Sequence, residues 1–190
     1  VMVTALAWGD VPRKAMRSSR ASVAESMIVG SADRAMLAAI AEYGPRSELP
    51  FLAHGMVVES IAGKPRLVVF GAGHVGARIA EAASFAGWRV TVVDDRGDFA
   101  DHARLPFAER AITCDFHDVD AVVAMDADTY VVIATRGHQH DVILASQLAP
   151  LPLRYLGMLG SRRKVALTAK VLSGWGVTDD EIARMHAPVG

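Results

Sequence analysis

A glycine-rich segment at residues 71–76 has the spacing of a phosphate-binding turn. Gly71, Gly73 and Gly76 follow an apolar strand-like run and open a helix-like pattern, the context in which G-x-G-x-x-G indicates a dinucleotide-type fingerprint. The first glycine permits a tight turn, the second lets an anion approach the backbone, and the third lets the helix pack closely on the strand. The segment predicts an anion site at a helix N-terminus. A tight turn without a ligand is the alternative.

An acidic residue ends the second predicted strand, where such fingerprints meet an adenosine ribose. Asp94 follows Gly76 by eighteen residues, close to the usual spacing. A carboxylate there repels a 2′-phosphate, so the sequence favours NAD over NADP if a dinucleotide binds, although Arg96 weakens that preference. Asp95 is interpreted as a turn or capping residue. His74, inside the glycine segment, either contacts the ligand or points outward.

Two further predicted strands end in polar and basic segments. The fourth leads into Thr135-Arg136-Gly137-His138 and the fifth into Gly160-Ser161-Arg162-Arg163-Lys164. Carboxyl ends of parallel strands share one edge of a sheet, so both segments are expected to face the same crevice as the glycines. Ser161 is predicted to cap a helix whose first turn carries three bases, against the usual dipole preference. An anionic ligand would explain that cost; solvated bases, or bases paired with the acidic stretch 94–101, are the alternative.

Histidine and cysteine residues are candidates for metal and thiol chemistry. His138 and His140, followed by Asp141, are one residue apart at a helix start and lack an evident third ligand, so no metal site is predicted. His138 is expected to contact the ligand, while His140 and Asp141 lie in the first helical turn. Cys114, the single cysteine, is expected to be a small apolar filler rather than a reactive thiol.

A parallel sheet is needed to position these segments. Apolar runs rich in Val, Ile and Leu, without alternation, predict strands covered by helices on both faces. The predicted strands are Arg66–Phe70, Arg89–Val93, Ala111–Thr113, Tyr130–Ala134 and Arg154–Met158, with helices over about Val75–Ala86, Gln139–Leu148, Arg162–Ser173 and Thr178–Met185. This alternation predicts an α/β class, with a doubly wound, mostly parallel Rossmann-like sheet over residues 66–190.

The first 65 residues have a different character and predict a small, apparently truncated α+β unit. A helix is predicted over Ser31–Tyr43 and a strand over Met56–Ser60, before the linker Gly63-Lys64-Pro65. The stretch Pro12–Ala24 is expected to be a solvated loop rather than an RNA-binding arm. Because so small a unit cannot complete a core alone, self-association into a homo-oligomer is expected.

Composition limits the classes of function. With 190 residues, 52% of them hydrophobic and 22% charged, the chain allows one full domain and a partial second one. Twenty Lys and Arg against twenty-one Asp and Glu give a net charge of −1, which disfavours nucleic acid as a partner. Neither a membrane span nor a signal sequence is apparent, and one cysteine fits a reducing compartment, so a cytoplasmic location is predicted.

The motifs together resemble the C-terminal Rossmann-like domain of the XdhC/CoxI family, the xanthine dehydrogenase accessory factors, over about Arg66–Gly190. The resemblance is carried by residues 67–76, Val92-Val93-Asp94-Asp95-Arg96, residues 126–130, Thr135-Arg136-Gly137-His138, Gly160-Ser161-Arg162-Arg163-Lys164 and residues 186–190. It implies a maturation protein that binds the molybdenum cofactor (molybdopterin), supports its sulfuration with a cofactor-sulfurating enzyme, and helps deliver it to a xanthine dehydrogenase-type molybdenum hydroxylase. The cofactor-binding residues are then expected to be Gly71, Gly73, His74, Gly76, Asp94, Arg136, His138, Ser161, Arg162, Arg163 and Lys164.

The chain departs from the family pattern at both ends, and a second class of function stays open. Family members usually carry an upstream glycine-rich segment with a cysteine, which this chain lacks, and they continue beyond Gly190. The alternative is an NAD-binding oxidoreductase or an NAD-sensing regulatory domain, which the glycine segment and Asp94 equally permit. About thirty residues follow the fifth strand, too few for a substrate domain, so a non-catalytic role is favoured.

Overall fold

The computed structural model describes residues 64–190 and, before them, the strand residues 2–5, 13–16, 28–29, 51–53 and 56–59. The chain divides into two compact units, Val1–Gly63 and Lys64–Gly190.

In the first unit the described residues form an antiparallel sheet. Its strands are β1 (Met2–Ala5), β2 (Arg13–Met16), β3 (Ile28–Val29), β4 (Phe51–Ala53) and β5 (Met56–Glu59), in the order β3-β2-β1-β5-β4. The strand predicted over Met56–Ser60 is confirmed as β5.

One prediction for the first unit is wrong and another lies outside the described residues. Residues 13–16, assigned from composition to a solvated loop, form β2 because their backbone pairs with β1 on one side and β3 on the other. Such pairing depends on the backbone and on partners far along the chain, so composition does not reveal it. The predicted helix Ser31–Tyr43 and the rest of the stretch 12–24 lie outside the described residues.

The second unit is a doubly wound α/β sheet, as predicted, and its five strands are all parallel. The strands are β6 (Arg66–Phe70), β7 (Arg89–Asp94), β8 (Arg110–Thr113), β9 (Thr129–Ile133) and β10 (Tyr155–Met158), in the order β10-β9-β6-β7-β8. The helices are α1 (His74–Phe85), α2 (His138–Leu148), α3 (Arg162–Gly174) and α4 (Asp179–Ala183), with a short 3-10 turn at Val119–Ala121. The chain order reverses between β6 and β9, which makes that junction the topological switch point.

Both faces of this sheet are buried, which explains the continuous apolar runs. Along β6, Val68 and Phe70 point into a core shared with α2 and α3. The alternate residues Leu67 and Val69 point into a second core with α1, as the two-residue period of a strand requires. Each predicted strand agrees with the observed one to within a residue at either end.

The last residues extend the sheet beyond its edge strand. The His186 N–H donates to the Leu156 carbonyl at 2.8 Å, and the Met158 N–H donates back to the His186 carbonyl at 3.0 Å. The imidazole of His186 stacks on the Tyr155 ring with 4.7 Å between centroids. This pairing covers backbone groups of β10 that an open sheet edge would expose.

Candidate functional site

The glycine segment forms a tight turn between β6 and α1, and its three glycines have different surroundings. Gly71 has a φ of 104°, and a Cβ there would lie 2.4 Å from the Ala134 carbonyl oxygen. A Cβ on Gly76 would lie 1.9 Å from the Gly71 carbonyl oxygen. A Cβ on Gly73, in contrast, would have nothing within 4 Å. The first and third glycines are therefore required for packing, whereas the second borders open space at the start of α1.

Two glycine-capped helices begin at the switch point. Gly73 is the N-cap of α1 and Gly137 is the N-cap of α2, and neither provides a side-chain capping bond. The strands before them, β6 and β9, are hydrogen-bonded neighbours. The N-terminal turn of α1 contains no acidic residue. The first turn of α2 contains the carboxylate of Asp141, which offsets the positive end of that helix. The start of α1 is therefore the part of this edge where backbone N–H groups favour an anion.

Asp94 fixes the glycine turn from the end of β7. Its side chain is buried, the residue being 1% exposed, and Oδ2 accepts a hydrogen bond from the Ala72 N–H at 2.7 Å. Burial raises the pKa of Asp94, but hydrogen bonds from Arg96 and the Ala72 N–H outweigh it, so the pKa lies below the ordinary carboxyl value. The carboxylate is charged at neutral pH and stabilises the loop conformation.

Two arginines pair with the adjacent carboxylates of Asp94 and Asp95. Arg96 pairs with Asp94 through its Nε at 2.9 Å and its Nη2 at 3.1 Å. Arg136 donates from Nη2 to Asp95 Oδ2 at 2.8 Å. Since β9 and β7 flank β6 on opposite sides, the Arg136–Asp95 ion pair connects the loops on either side of the glycine turn.

A buried ion pair links α2 to α3 beside the same edge. Asp141, whose side chain is 1% exposed, forms an ion pair with Lys164 Nζ. Its other oxygen accepts a hydrogen bond from the Thr135 hydroxyl. Asp141 and His140 lie in the first turn of α2 as predicted, but the burial of Asp141 and its pairing were not foreseen. Lys164 therefore belongs to an interior network, while Arg162 and Arg163 are exposed and form no ion pair with any residue that the structure describes.

The first turn of α3 and His138 lie at the same edge of the sheet. Ser161 caps α3 as predicted, because its Oγ accepts from the Lys164 N–H at 3.3 Å. His138 Nδ1 lies 3.5 Å from the Thr168 hydroxyl of α3. The start of α3 follows β10, which is two strand positions from β6, a strand separation of roughly 10 Å at about 4.8 Å per position. A ligand that contacts both the glycine turn and the start of α3 must have about that length, or the arginine side chains must reach toward it.

The remaining candidates have less specific surroundings. His74 is exposed at the first turn of α1. Cys114 packs against the core, and burial followed by the carboxylates of Asp118 and Asp115 raises the pKa of its thiol. In the part of the chain that the structure describes, no three His, Cys, Asp or Glu side chains form a group that could hold a metal.

Sequence reasoning missed Thr168, and it named Thr135 and Asp141 without foreseeing the bond between them. The Thr135 hydroxyl donates to the Asp141 carboxylate, and the Thr168 hydroxyl lies beside the imidazole of His138. A carboxylate at the third position of the predicted helix, on its core-facing side, was the available signal for Asp141, since such a group must be paired when buried.

Comparisons with known proteins are consistent with this geometry. Residues 67–190 match the XdhC Rossmann domain. The chain is 36% identical over 139 residues to the uncharacterized protein YqeB of Escherichia coli, covering 72% of this chain and 24% of that protein. It is 32% identical over 135 residues to a probable xanthine dehydrogenase subunit of Bacillus subtilis, covering 71% of this chain and 39% of that protein.

A solved structure shares the fold. The crystal structure of a xanthine dehydrogenase from Bacillus halodurans superposes with a TM-score of 0.71 at 21% identity, covering 89% of this chain and 50% of that chain. The chain thus spans half or less of the length of each of these proteins. None of the helices among the described residues has the length and apolar character needed to cross a membrane.

Proposed function

Because the chain belongs to the XdhC Rossmann domain family, we propose that it is the Rossmann part of an accessory factor for a xanthine dehydrogenase-type molybdenum hydroxylase. In this role it binds the molybdenum cofactor by its phosphate and takes part in the sulfuration and delivery of that cofactor. Its partners are the hydroxylase and a cofactor-sulfurating enzyme. The name of the Bacillus subtilis relative supports a connection to xanthine dehydrogenase.

The observation that carries the proposal is the open space at Gly73, the glycine N-cap of α1. A phosphate group fits such a position because backbone N–H groups and helix dipoles bind anions without a side-chain base. Arg162 and Arg163, exposed about two strands away, suit a second polar part of an extended ligand. When bound, the cofactor supplies its own chemistry; this chain's residues hold its phosphate and orient it at the sheet edge.

Replacing Gly73 by valine is expected to abolish ligand binding while leaving the fold intact. The new side chain would fill the space into which the phosphate approaches, and we expect affinity for released molybdenum cofactor to fall at least about 100-fold, which corresponds to ~2.7 kcal/mol. The loss of stability should stay within ~2 kcal/mol, the usual range for an unfavourable N-cap. Equilibrium titration of wild type and Gly73→Val, with thermal unfolding of both, measures the two effects.

A matched control and a second ligand make this test specific. Gly174→Ala changes another glycine with open space around its Cβ position, at the end of α3, and should bind as wild type does. Titration with NADH on the same samples tests the alternative that the crevice serves a dinucleotide. Unchanged cofactor affinity in a folded Gly73→Val protein would contradict the proposal.

Replacing Arg162 by alanine is expected to weaken cofactor binding by roughly tenfold to a hundredfold. A charge-assisted hydrogen bond to an anion contributes about 1.5–3 kcal/mol, and binding that uses it should also weaken as salt rises. Because Arg162 is exposed, its removal should change the melting temperature little. Titrations at two salt concentrations measure the effect, with Lys170→Ala, an exposed base later in α3, as the control. Equal affinities for the wild type and Arg162→Ala at both salt concentrations would assign this residue to the solvated surface.

A further inference from the structure

The hydrogen bonds of Asp94 leave no acceptor position for a ligand. Asp94 Oδ1 accepts from the Arg96 N–H at 3.0 Å and from Arg96 Nε at 2.9 Å. Oδ2 accepts from the Ala72 N–H at 2.7 Å and from Arg96 Nη2 at 3.1 Å. A carboxylate has about four lone-pair sites, so these four bonds use all of them. In dinucleotide-binding folds, however, the acidic residue at this position accepts from the adenosine ribose.

The guanidinium that occupies these sites is itself held in place. The Arg96 side chain is 26% exposed, and its Cζ lies 3.4 Å from the centroid of the Phe99 ring. Cation–π contact adds to the paired hydrogen bonds. A ribose could reach Asp94 only by displacing Arg96 from both the carboxylate and the ring, which would leave one buried charge without its partner.

We propose that Arg96 is a specificity-determining residue that excludes the adenosine ribose of a dinucleotide, so that the crevice takes a phosphomonoester. This inference rests on the phosphate-binding role proposed above and selects the ligand class for it. The phosphate lies at the Gly73 end of the turn, and no nucleoside occupies the side toward β7. Asp94, which the sequence alone places as a ribose ligand, becomes a positioning residue that shapes the turn through the Ala72 N–H.

Removing the positive charge of Arg96 is expected to strengthen NADH binding. Arg96→Ala and Arg96→Met remove the side-chain donors and free acceptor sites on Asp94, and we expect both variants to bind NADH at least about tenfold more tightly than wild type, the effect of one charge-assisted hydrogen bond. General electrostatics predicts the opposite, because loss of a cation weakens attraction for a dianion. Inorganic pyrophosphate, which needs only the glycine turn, should bind all three proteins within about threefold of one another.

The control variant is Arg104→Ala. Arg104 also lies over the Phe99 ring, with Cζ 4.2 Å from the centroid, yet it has no bond to Asp94, so its removal should leave NADH binding unchanged. Equal NADH affinity in wild type and both Arg96 variants would overturn the inference, as would an equal gain in Arg104→Ala. If Arg96→Ala fails to fold, Arg96→Met, which keeps a long apolar side chain without a hydrogen-bond donor, provides the comparison.

The affinities of the wild-type protein for NADH and for pyrophosphate also test the role of Arg96. NADH binding to wild type that is more than tenfold tighter than pyrophosphate binding would overturn the inference without any variant. If none of the proteins, wild type included, binds pyrophosphate, the glycine turn holds no phosphate. In that case the proposed function fails. Two results together support both the proposed function and the role of Arg96. Wild type binds pyrophosphate measurably and NADH weakly, and the Arg96 variants bind NADH more tightly.

Discussion

Replacing Gly76 by alanine is expected to destabilise the second unit by at least about 3 kcal/mol, the upper range of overpacking effects. A Cβ at this position would lie 1.9 Å from the Gly71 carbonyl oxygen, far inside van der Waals contact. The obstacle is backbone rather than a flexible side chain, and Gly71 cannot retreat because its N–H bonds the Val93 carbonyl at 2.7 Å. To accommodate the methyl group, α1 must move away from β6, which opens the core around Ala80.

Chemical denaturation of Gly76→Ala and Gly73→Ala measures this difference within one turn. Gly73→Ala adds the same methyl group into open space, and its cost should not exceed ~1 kcal/mol, the usual penalty of alanine at an N-cap. With about 2–4 °C of melting temperature per kcal/mol for a chain of this size, thermal unfolding of the same two variants should differ by roughly 4–8 °C or more. Equal unfolding midpoints would mean that the close approach of helix and strand is not what requires glycine at 76.

The sequence predicts the sheet well because burial on both faces leaves a signal in each strand. β6 matches its predicted range Arg66–Phe70, since the four residues after Arg66 are all apolar and all buried. Helix starts were also predictable where a capping residue marks them, as Ser161 does for α3. In both cases the determining interactions are local or depend only on hydrophobicity, and neither requires knowledge of a distant partner.

Side-chain pairing across the site could not be predicted in the same way. Asp94 occupies the expected place in the sheet. Which group bonds its carboxylate, however, depends on the rotamer of Arg96 and on the Phe99 ring that contacts the Arg96 guanidinium. Lys164 was expected to face a ligand with Arg162 and Arg163, but it pairs with Asp141, twenty-three residues earlier. Such partners come together only once α2 and α3 have packed, so no spacing rule within one element reveals them.

The Asp141–Lys164 pair is expected to show an asymmetric response to mutation. Asp141 has 1% of its side chain exposed, whereas Lys164 has 25% exposed. Lys164→Met leaves a buried carboxylate without its ammonium, and we expect a loss of about 3–5 kcal/mol, as for other buried pairs that lose one partner. Asp141→Ala leaves an ammonium that can turn toward water, so its cost should be smaller, although the Thr135 hydroxyl also loses an acceptor.

The double variant Asp141→Ala/Lys164→Met decides whether the pair acts as a unit. Replacing both charges by apolar groups removes the unpaired carboxylate, so the double variant should be more stable than Lys164→Met by at least about 1 kcal/mol, although it carries one more mutation. Urea unfolding of the four proteins gives the coupling energy, and Arg163→Met, at an exposed base of the same turn, should change stability by less than about 0.5 kcal/mol. Additive losses would mean that Lys164 reaches water in the folded protein and is free to meet a ligand. Strong coupling would mean that the charge of Lys164 stabilises the packing of α2 on α3. That packing holds the loop of Arg136 beside the glycine turn.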